Sequence, residues 1–309
     1  MKKIFTLISF SVILSVVSYA QQDPQFSQNM YNKLFTNPGY AGSNKALCAT
    51  LLGRSQWMGF DGAPKTGLLS VETYVSKLHG GIGGTVYSDQ LGLESSFGAK
   101  LAYSFRLNVG PGQLGIGAEV GMYNKSLKSG FVAIQSNDPL VPTSQVSATT
   151  FDLGLGIYYN TNNLYAGIST THIPQMDLSY KLSTSSLDLS LVRHYYVTLG
   201  YDYQLPVPSL VLRPSVFIKS DSHTAQVDAN INLLYNNLVW GGVSYRLGDA
   251  VVPHVGLNLN NGLRFGVAYD VTTSKLRSYS SGSVEIMLGY CMKMNTNPPT
   301  HIHKDVRFL

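Results

Sequence analysis

Few residues in this chain are spaced as chemistry requires. His301 and His303 form a His-x-His pair in a polar tail, with Asp305 as the nearby carboxylate and no cysteine beside them. A metal centre normally takes three or four nitrogen, sulfur or oxygen ligands, so the pair reads as surface histidines. GGIGGTVYSDQ, residues 80–90, is glycine-rich like a phosphate loop, yet no helix pattern follows it, and dinucleotide binding is not implied. GPGQLGIG, residues 110–117, reads as a turn entering a strand. Asp152 and Glu285 are carboxylates that could divide acid and base work, but nothing in the sequence fixes their separation. No nucleophile–base motif of a recognisable local kind is present. The expectation is a non-enzymatic protein without cofactor, metal or catalytic residues. Cys48 and Cys291, the two cysteines, could form one disulfide in an oxidising compartment or remain two buried thiols.

The compartment follows from the first residues, MKKIFTLISFSVILSVVSYAQQ. Lys2 and Lys3 give a basic start, Ile4 to Val17 a mostly apolar stretch, and Ser18-Tyr19-Ala20 small residues at the positions a signal peptidase reads. Residues 1–20 are therefore expected to be a signal peptide, with the mature chain starting at Gln21. The apolar part is short for a membrane-spanning helix, which needs about 20 residues. No later segment offers such a run either. Charged residues make up only 13% of the chain, about half the usual share, while glycine (30) and tyrosine (20) are abundant. The net charge of +5 is thinly spread, so nucleic-acid binding is not expected. An exported, low-charge, Gly- and Tyr-rich chain without long apolar runs fits an outer-membrane β-barrel.

The periodicity agrees. In TFDLGLGIYY, Phe151, Leu153, Leu155 and Ile157 alternate with Asp152, Gly154, Gly156 and Tyr158. QLGIGAEVGMY, AQVDANINLLY and GLRFGVAYDVT alternate in the same way. A period of two is the strand signature. About fourteen such runs lie near residues 46–53, 66–78, 80–88, 95–107, 112–124, 148–160, 163–171, 194–204, 209–220, 224–234, 237–247, 250–260, 262–272 and 282–294. Most have the length of a tilted transmembrane strand. A soluble sandwich shares this period, but its core would not accept a face carrying Lys100, Arg106, Glu119, Asp152, Asp202, Arg213, Asp228, Arg264, Asp270 and Glu285. A wet or plugged lumen would. Tyr158, Tyr159, Tyr165, Tyr195, Tyr201 and Tyr203 gather at run ends, where aromatic girdles are expected. The fold class expected is all-β, a transmembrane antiparallel barrel over 46–294, preceded by a plug-like segment over 21–45 and followed by a tail over 295–309. Closure would bring the first run beside the last, and Cys48 and Cys291 share the parity of the polar face, so they could meet across that seam.

Two segments exceed what a passive pore needs. The first, QQDPQFSQNMYNKLFTNPGYAGSN, residues 21–44, carries Asp23, Pro24, Gln25, Phe26, Met30, Tyr31, Leu34, Phe35 and Tyr40. A disordered tail rarely holds so many apolar groups, so this segment should pack against the lumen or a partner. The second, RSQWMGFDGAPKTG, carries Arg54, Trp57, Phe60 and Asp61 in the first long connection. It is expected outside the cell, folding into the mouth on Trp57 and Phe60. Both segments could also be plugs that simply keep the envelope sealed.

These segments resemble the PorP/SprF-like proteins of the type IX secretion system. DPQFSQNMYNKLFTNPGYAG is similar to that family's mature N-terminus and RSQWMGFDGAPKT to its first-loop motif. The likeness continues in GGIGGTVYSDQLG, FDLGLGIYYNTNNLYAGIST, SYRLGDAVVPHVGLNLNN and YDVTTSKLRSYSSGSVEIMLGY. The tail CMKMNTNPPTHIHKDVRFL departs from it, since the family usually stops soon after its last strand. The resemblance implies an outer-membrane location in lipid and partnership with secretion machinery subunits. Its SprF-like branch implies a secreted cargo with a type B C-terminal domain, its PorP-like branch a periplasmic attachment of the machinery to peptidoglycan. The residues alone leave a passive channel or hydrophobic-solute transporter, and more remotely a lipid-modifying barrel enzyme, as other readings.

Overall fold

The computed structural model describes residues 23–131, 138–182 and 185–293. The expected signal peptide, Met294, and the tail with His301, His303 and Asp305 lie outside these residues. Among them no helix is long and apolar enough to cross a membrane. The strands are β1 (Ala46–Ser55), β2 (Lys65–Val75), β3 (Gly80–Leu91), β4 (Glu94–Val109), β5 (Gly112–Leu127), β6 (Val146–Asn160), β7 (Leu164–Thr171), β8 (Asp177–Lys181), β9 (Ser186–Ser190), β10 (His194–Tyr201), β11 (Tyr203–Gln204), β12 (Leu210–Ser220), β13 (Ala225–Tyr235), β14 (Val239–Arg246), β15 (Ala250–Asn258), β16 (Leu263–Thr272) and β17 (Ser283–Lys293). Fifteen form one sheet, each antiparallel to its neighbours, and β1 pairs with β17 to close it. β10 and β11 are one stave broken opposite Pro214, which has no N–H to give the ladder. Counted that way the barrel has fourteen staves, each falling on one of the runs expected from the alternation. The addition is the β8–β9 hairpin, which pairs only with itself.

Burial along the staves is inverted relative to a soluble protein. On β6 Phe151 is 73% exposed and Leu155 54%, while Asp152 and Tyr158 on the same strand are buried. Apolar side chains that face outward need lipid, and polar ones that face inward need partners. Connections at one end (76–79, 110–111, 161–163, 205–209, 236–238, 259–262) are short, and both barrel termini lie there. The other end carries the long ones, 56–64, 128–145, 172–193 and 273–282. Short turns mark the periplasmic end and long loops the extracellular end. The β8–β9 hairpin folds over the extracellular end, with Leu178 and Tyr180 buried against Leu127 and Ala148.

The tyrosine girdle is only partly real. Tyr195, Tyr201 and Tyr203 face outward. Tyr158 and Tyr165 instead turn into the lumen and stack on each other, because they have the parity of the polar face. At the seam Cys48 stands directly opposite Cys291 in the β1–β17 register, and a disulfide joins them.

Candidate functional site

The lumen is filled by residues 23–45. The segment starts near the extracellular mouth, descends through the barrel and leaves at the periplasmic end to enter β1. It has almost no regular structure: one α-helical turn (Lys33–Thr36) between two short 3-10 turns. A buried backbone without its own ladder must find other partners, and the wall supplies them at three levels.

At the top, Asp23 Oδ1 lies 2.9 Å from His172 Nε2, and its Oδ2 accepts from the Tyr196 hydroxyl at 2.6 Å. Lys219 donates to the Asp23 carbonyl at 2.7 Å. Burial would raise the Asp23 pKa, but the positive field of His172, with His194 and Lys100 behind it, holds it well below the usual carboxylate range.

At mid-height, Glu285 accepts from the backbone N–H groups of both Ser27 and Gln28, at 2.7 and 2.8 Å. The Ser27 hydroxyl donates to Asp270 at 2.7 Å and accepts from Arg54 at 2.7 Å and Arg246 at 3.1 Å. Arg54 and Arg246 both pair with Asp270, at 2.8 and 2.7 Å. Arg54 also reaches Glu285 at 3.3 Å, and Arg246 reaches Asp228 at 3.3 Å. Two guanidinium groups and three carboxylates thus surround one serine, each carboxylate paired with at least one guanidinium, and pairing is the condition under which buried ions are tolerable. Beside it Phe35 meets both Phe26 and Tyr87 edge-on, with centroids 5.3 Å apart in each pair, and Tyr31 lies on Trp240 at 4.5 Å.

At the periplasmic level, Arg106 donates to the carbonyls of Gly39, Tyr40 and Ala41 at 2.8–3.0 Å. Glu72 accepts from the Gly42 N–H and the Asn44 amide, each at 2.7 Å. Asn37 reaches the Ile157 carbonyl on the wall at 3.0 Å. The chain can come this close because the inward face of β5 and β6 is glycine here. A Cβ on Gly117 would lie 2.4 Å from the Pro38 backbone, and one on Gly156 would lie 2.2 Å from Asn37 Oδ1. Among the described residues Lys33 has no carboxylate in ion-pair contact. Its ammonium sits 3.4 Å from the Tyr165 ring centroid and 3.3 Å from the Tyr158 hydroxyl, and burial pushes its pKa down to about 7.

Cavities among the described residues open at both ends. One of 620 Å³ opens at the extracellular mouth, with Asp23, Pro24 and Gln25 as its floor and Trp57 on its rim. One of 290 Å³ lies at the periplasmic end beside Lys33, Tyr31 and Tyr40.

The expected site residues therefore fall into two groups. Asp23, Pro24, Gln25, Phe26, Tyr31, Phe35 and Tyr40 lie together in the lumen, and Arg54 joins them there. That corrects the loop assignment of Arg54, which belongs to β1 and points inward, as its parity requires. The loop itself spans 56–64 and is held by Trp57 N–H donating to Ser283 Oγ at the start of β17 at 3.0 Å, and by backbone bonds of Met58 with Gly282 and Ser281 of the neighbouring 273–282 loop. Phe60 is 50% exposed and Asp61 stands beside it in solvent, so Phe60 does not anchor this loop. The sequence did not single out Ser27, Lys33, His172, His194, Tyr196, Lys219 or Arg246. Ser27 and Lys33 lie in the plug, and His194, Tyr196, Lys219 and Arg246 have the parity of the inward face, which was the one signal available; His172 lies just beyond β7, where strand parity gives no signal.

Solved structures similar to this chain include an outer-membrane protein and a hydrocarbon channel. Omp33 of Acinetobacter baumannii has 10% identity, covering 81% of this chain and 99% of that one, with a TM-score of 0.44. The CymD monoaromatic hydrocarbon channel has 12% identity, with coverage of 87% and 93% and a TM-score of 0.49. BamA from Haemophilus ducreyi lacking POTRA domains 1–3 has 10% identity, with coverage of 80% and 70% and a TM-score of 0.45. No curated protein matches the sequence. The family model for the type IX secretion system membrane protein PorP/SprF matches residues 18–290, and the chain belongs to that family, as an outer-membrane β-barrel component of that system.

Proposed function

We propose that this barrel is a sealed, non-enzymatic docking component, which binds machinery subunits or a secreted cargo with a type B C-terminal domain rather than conducting solutes. The observation that carries this reading is the plug. It is bonded to the wall at three levels, and its aromatic side chains share one apolar cluster with Leu52, Leu68, Tyr87, Leu234, Trp240 and Met287. A permanently filled lumen leaves the two ends as working surfaces. The long loops and the β8–β9 hairpin face secreted partners, and the short-turn end faces periplasmic ones. In the same reading residues 1–20 are a cleaved export signal, 21–45 the plug and 46–294 the barrel, with 295–309 a C-terminal tail.

The test is an affinity pull-down of the tagged protein from detergent-solubilised outer membranes, with bound chains identified by mass spectrometry. Recovery of a large protein ending in a type B C-terminal domain supports the SprF-like role, and recovery of periplasmic machinery subunits supports the PorP-like role. Recovery of the barrel alone, together with steady conductance in planar bilayers, overturns the proposal in favour of a channel. Trp57→Ala, which alters the extracellular rim without touching the plug, should reduce cargo retention if the rim is the contact.

A further inference from the structure

Asp23, His172 and His194 come from three different elements: the start of the plug, the residue after β7 and the first residue of β10. All three are buried, and one ligand atom from each lies within 4.8 Å of the others. His194 is 2% exposed. Its Nδ1 faces the Val192 carbonyl at 2.9 Å; a carbonyl only accepts, so Nδ1 carries the proton and Nε2 keeps its lone pair. That Nε2 is buried and has no hydrogen-bond partner among the described residues. A carboxylate also stands behind the other ring: His172 Nδ1 lies 3.1 Å from Asp152 Oδ2, as an ion pair without hydrogen-bond alignment, while its Nε2 points at Asp23. Histidines that bind metals are held in this way, with an acceptor behind one nitrogen and the other nitrogen presented to the ion. Tyr196, donating to Asp23 Oδ2, orients the carboxylate in the same manner.

We propose that Asp23, His172 and His194 bind one divalent first-row transition cation, which fastens the start of the plug to the barrel wall. Two imidazoles and one carboxylate suit Zn²⁺, Co²⁺ or Ni²⁺ rather than Ca²⁺ or Mg²⁺, which prefer oxygen donors. Ligands about 2.1 Å from a tetrahedral ion stand roughly 3.4 Å apart, so binding separates Asp23 from His172 slightly and draws His194 inward. The local charge admits a dication. Asp23, Asp152, Glu119 and Asp221 are four carboxylates, and Lys100 and Lys219 are two ammonium groups, which leaves two negative charges once an entering ion has displaced the proton from His172. An entry path exists, since Asp23 and His194 both line the 620 Å³ extracellular cavity. The fourth position of the ion faces that cavity and takes water.

The test uses the full chain in detergent, stripped with chelator and then titrated with Zn²⁺ or Co²⁺ alone. One equivalent of Zn²⁺ by elemental analysis, visible Co²⁺ absorption bands and a raised unfolding temperature in Zn²⁺ are expected of the wild type. His194→Ala should weaken binding at least tenfold while the barrel still shows folded mobility on unheated gels. If that variant does not fold, His194→Gln serves in its place. The double variant His301→Ala/His303→Ala should bind as the wild type does. Failure of the wild type to bind Zn²⁺ overturns the proposal. So does unchanged binding by a folded His194 variant, or loss of binding on removal of the tail histidines.

Discussion

Replacing Phe35 with alanine tests whether the plug is a bound ligand of its own barrel. Phe35 is 3% exposed, touches Phe26 and Tyr87 edge-on, and has the Lys100 ammonium 5.6 Å from its ring centroid. A buried Phe→Ala change costs about 3–5 kcal/mol, because the surroundings are braced by neighbours that cannot collapse into the void. Here those neighbours are barrel staves fixed by continuous ladders, so the upper half of that range applies. The barrel's own strands lose no hydrogen bond. The loss therefore falls on the equilibrium between seated and displaced plug, and about 1.4 kcal/mol per factor of ten raises the displaced fraction some thousandfold. Two assays read this. Single-channel recording in planar bilayers should show brief openings in Phe35→Ala and a quiet wild type. A cysteine placed at Ser27 should be labelled by a membrane-impermeant maleimide in the variant and not otherwise, with Cys48→Ser/Cys291→Ser as the common background. Equal labelling and equal conductance in the two proteins, both with folded mobility, would refute the claim that apolar packing holds the plug.

Other perturbations act at the remaining levels. Arg54→Met leaves Asp270 and Glu285 short of one cation and should lower the unfolding temperature measurably, since stripping one partner from a buried ion pair costs about 3–5 kcal/mol. Gly117→Val should eject the Pro38 region, because its Cβ would lie 2.4 Å from backbone; normal plug protection from protease would count against the close-packed wall. The Cys48–Cys291 bond closes a loop spanning 243 positions, worth about 5 kcal/mol in the chain-entropy description. The denatured protein should migrate faster without reductant than with it, and Cys291→Ser should abolish the difference. Lys33 has its pKa lowered to about 7, below the unfolded value near 10.4, so the unfolded chain binds more protons between those values. Stability should rise with pH through that window, and the rise should vanish in Lys33→Met.

The sequence by itself determined the barrel. Strict alternation in stretches such as TFDLGLGIYY fixes both the strand and the face, because one step along a strand reverses the side chain and lipid accepts only one of the two faces. It also marked residues 21–45 as a segment that must be buried, through Phe26, Tyr31 and Phe35. The tertiary structure decided what buries them. Arg54 reads as part of a loop motif until β1 is seen to extend through Ser55, and the period of two then turns it toward Asp270. The β8–β9 hairpin was hidden because it pairs only with itself and packs across the mouth, and a short run of alternation does not reveal that. His172 and His194 are 22 positions apart in the chain and meet Asp23 only because β7 and β10 are neighbours while the plug begins beneath the mouth. Parity along one strand says which way a side chain points. What it meets there depends on how fourteen staves curl around a segment that has no period at all.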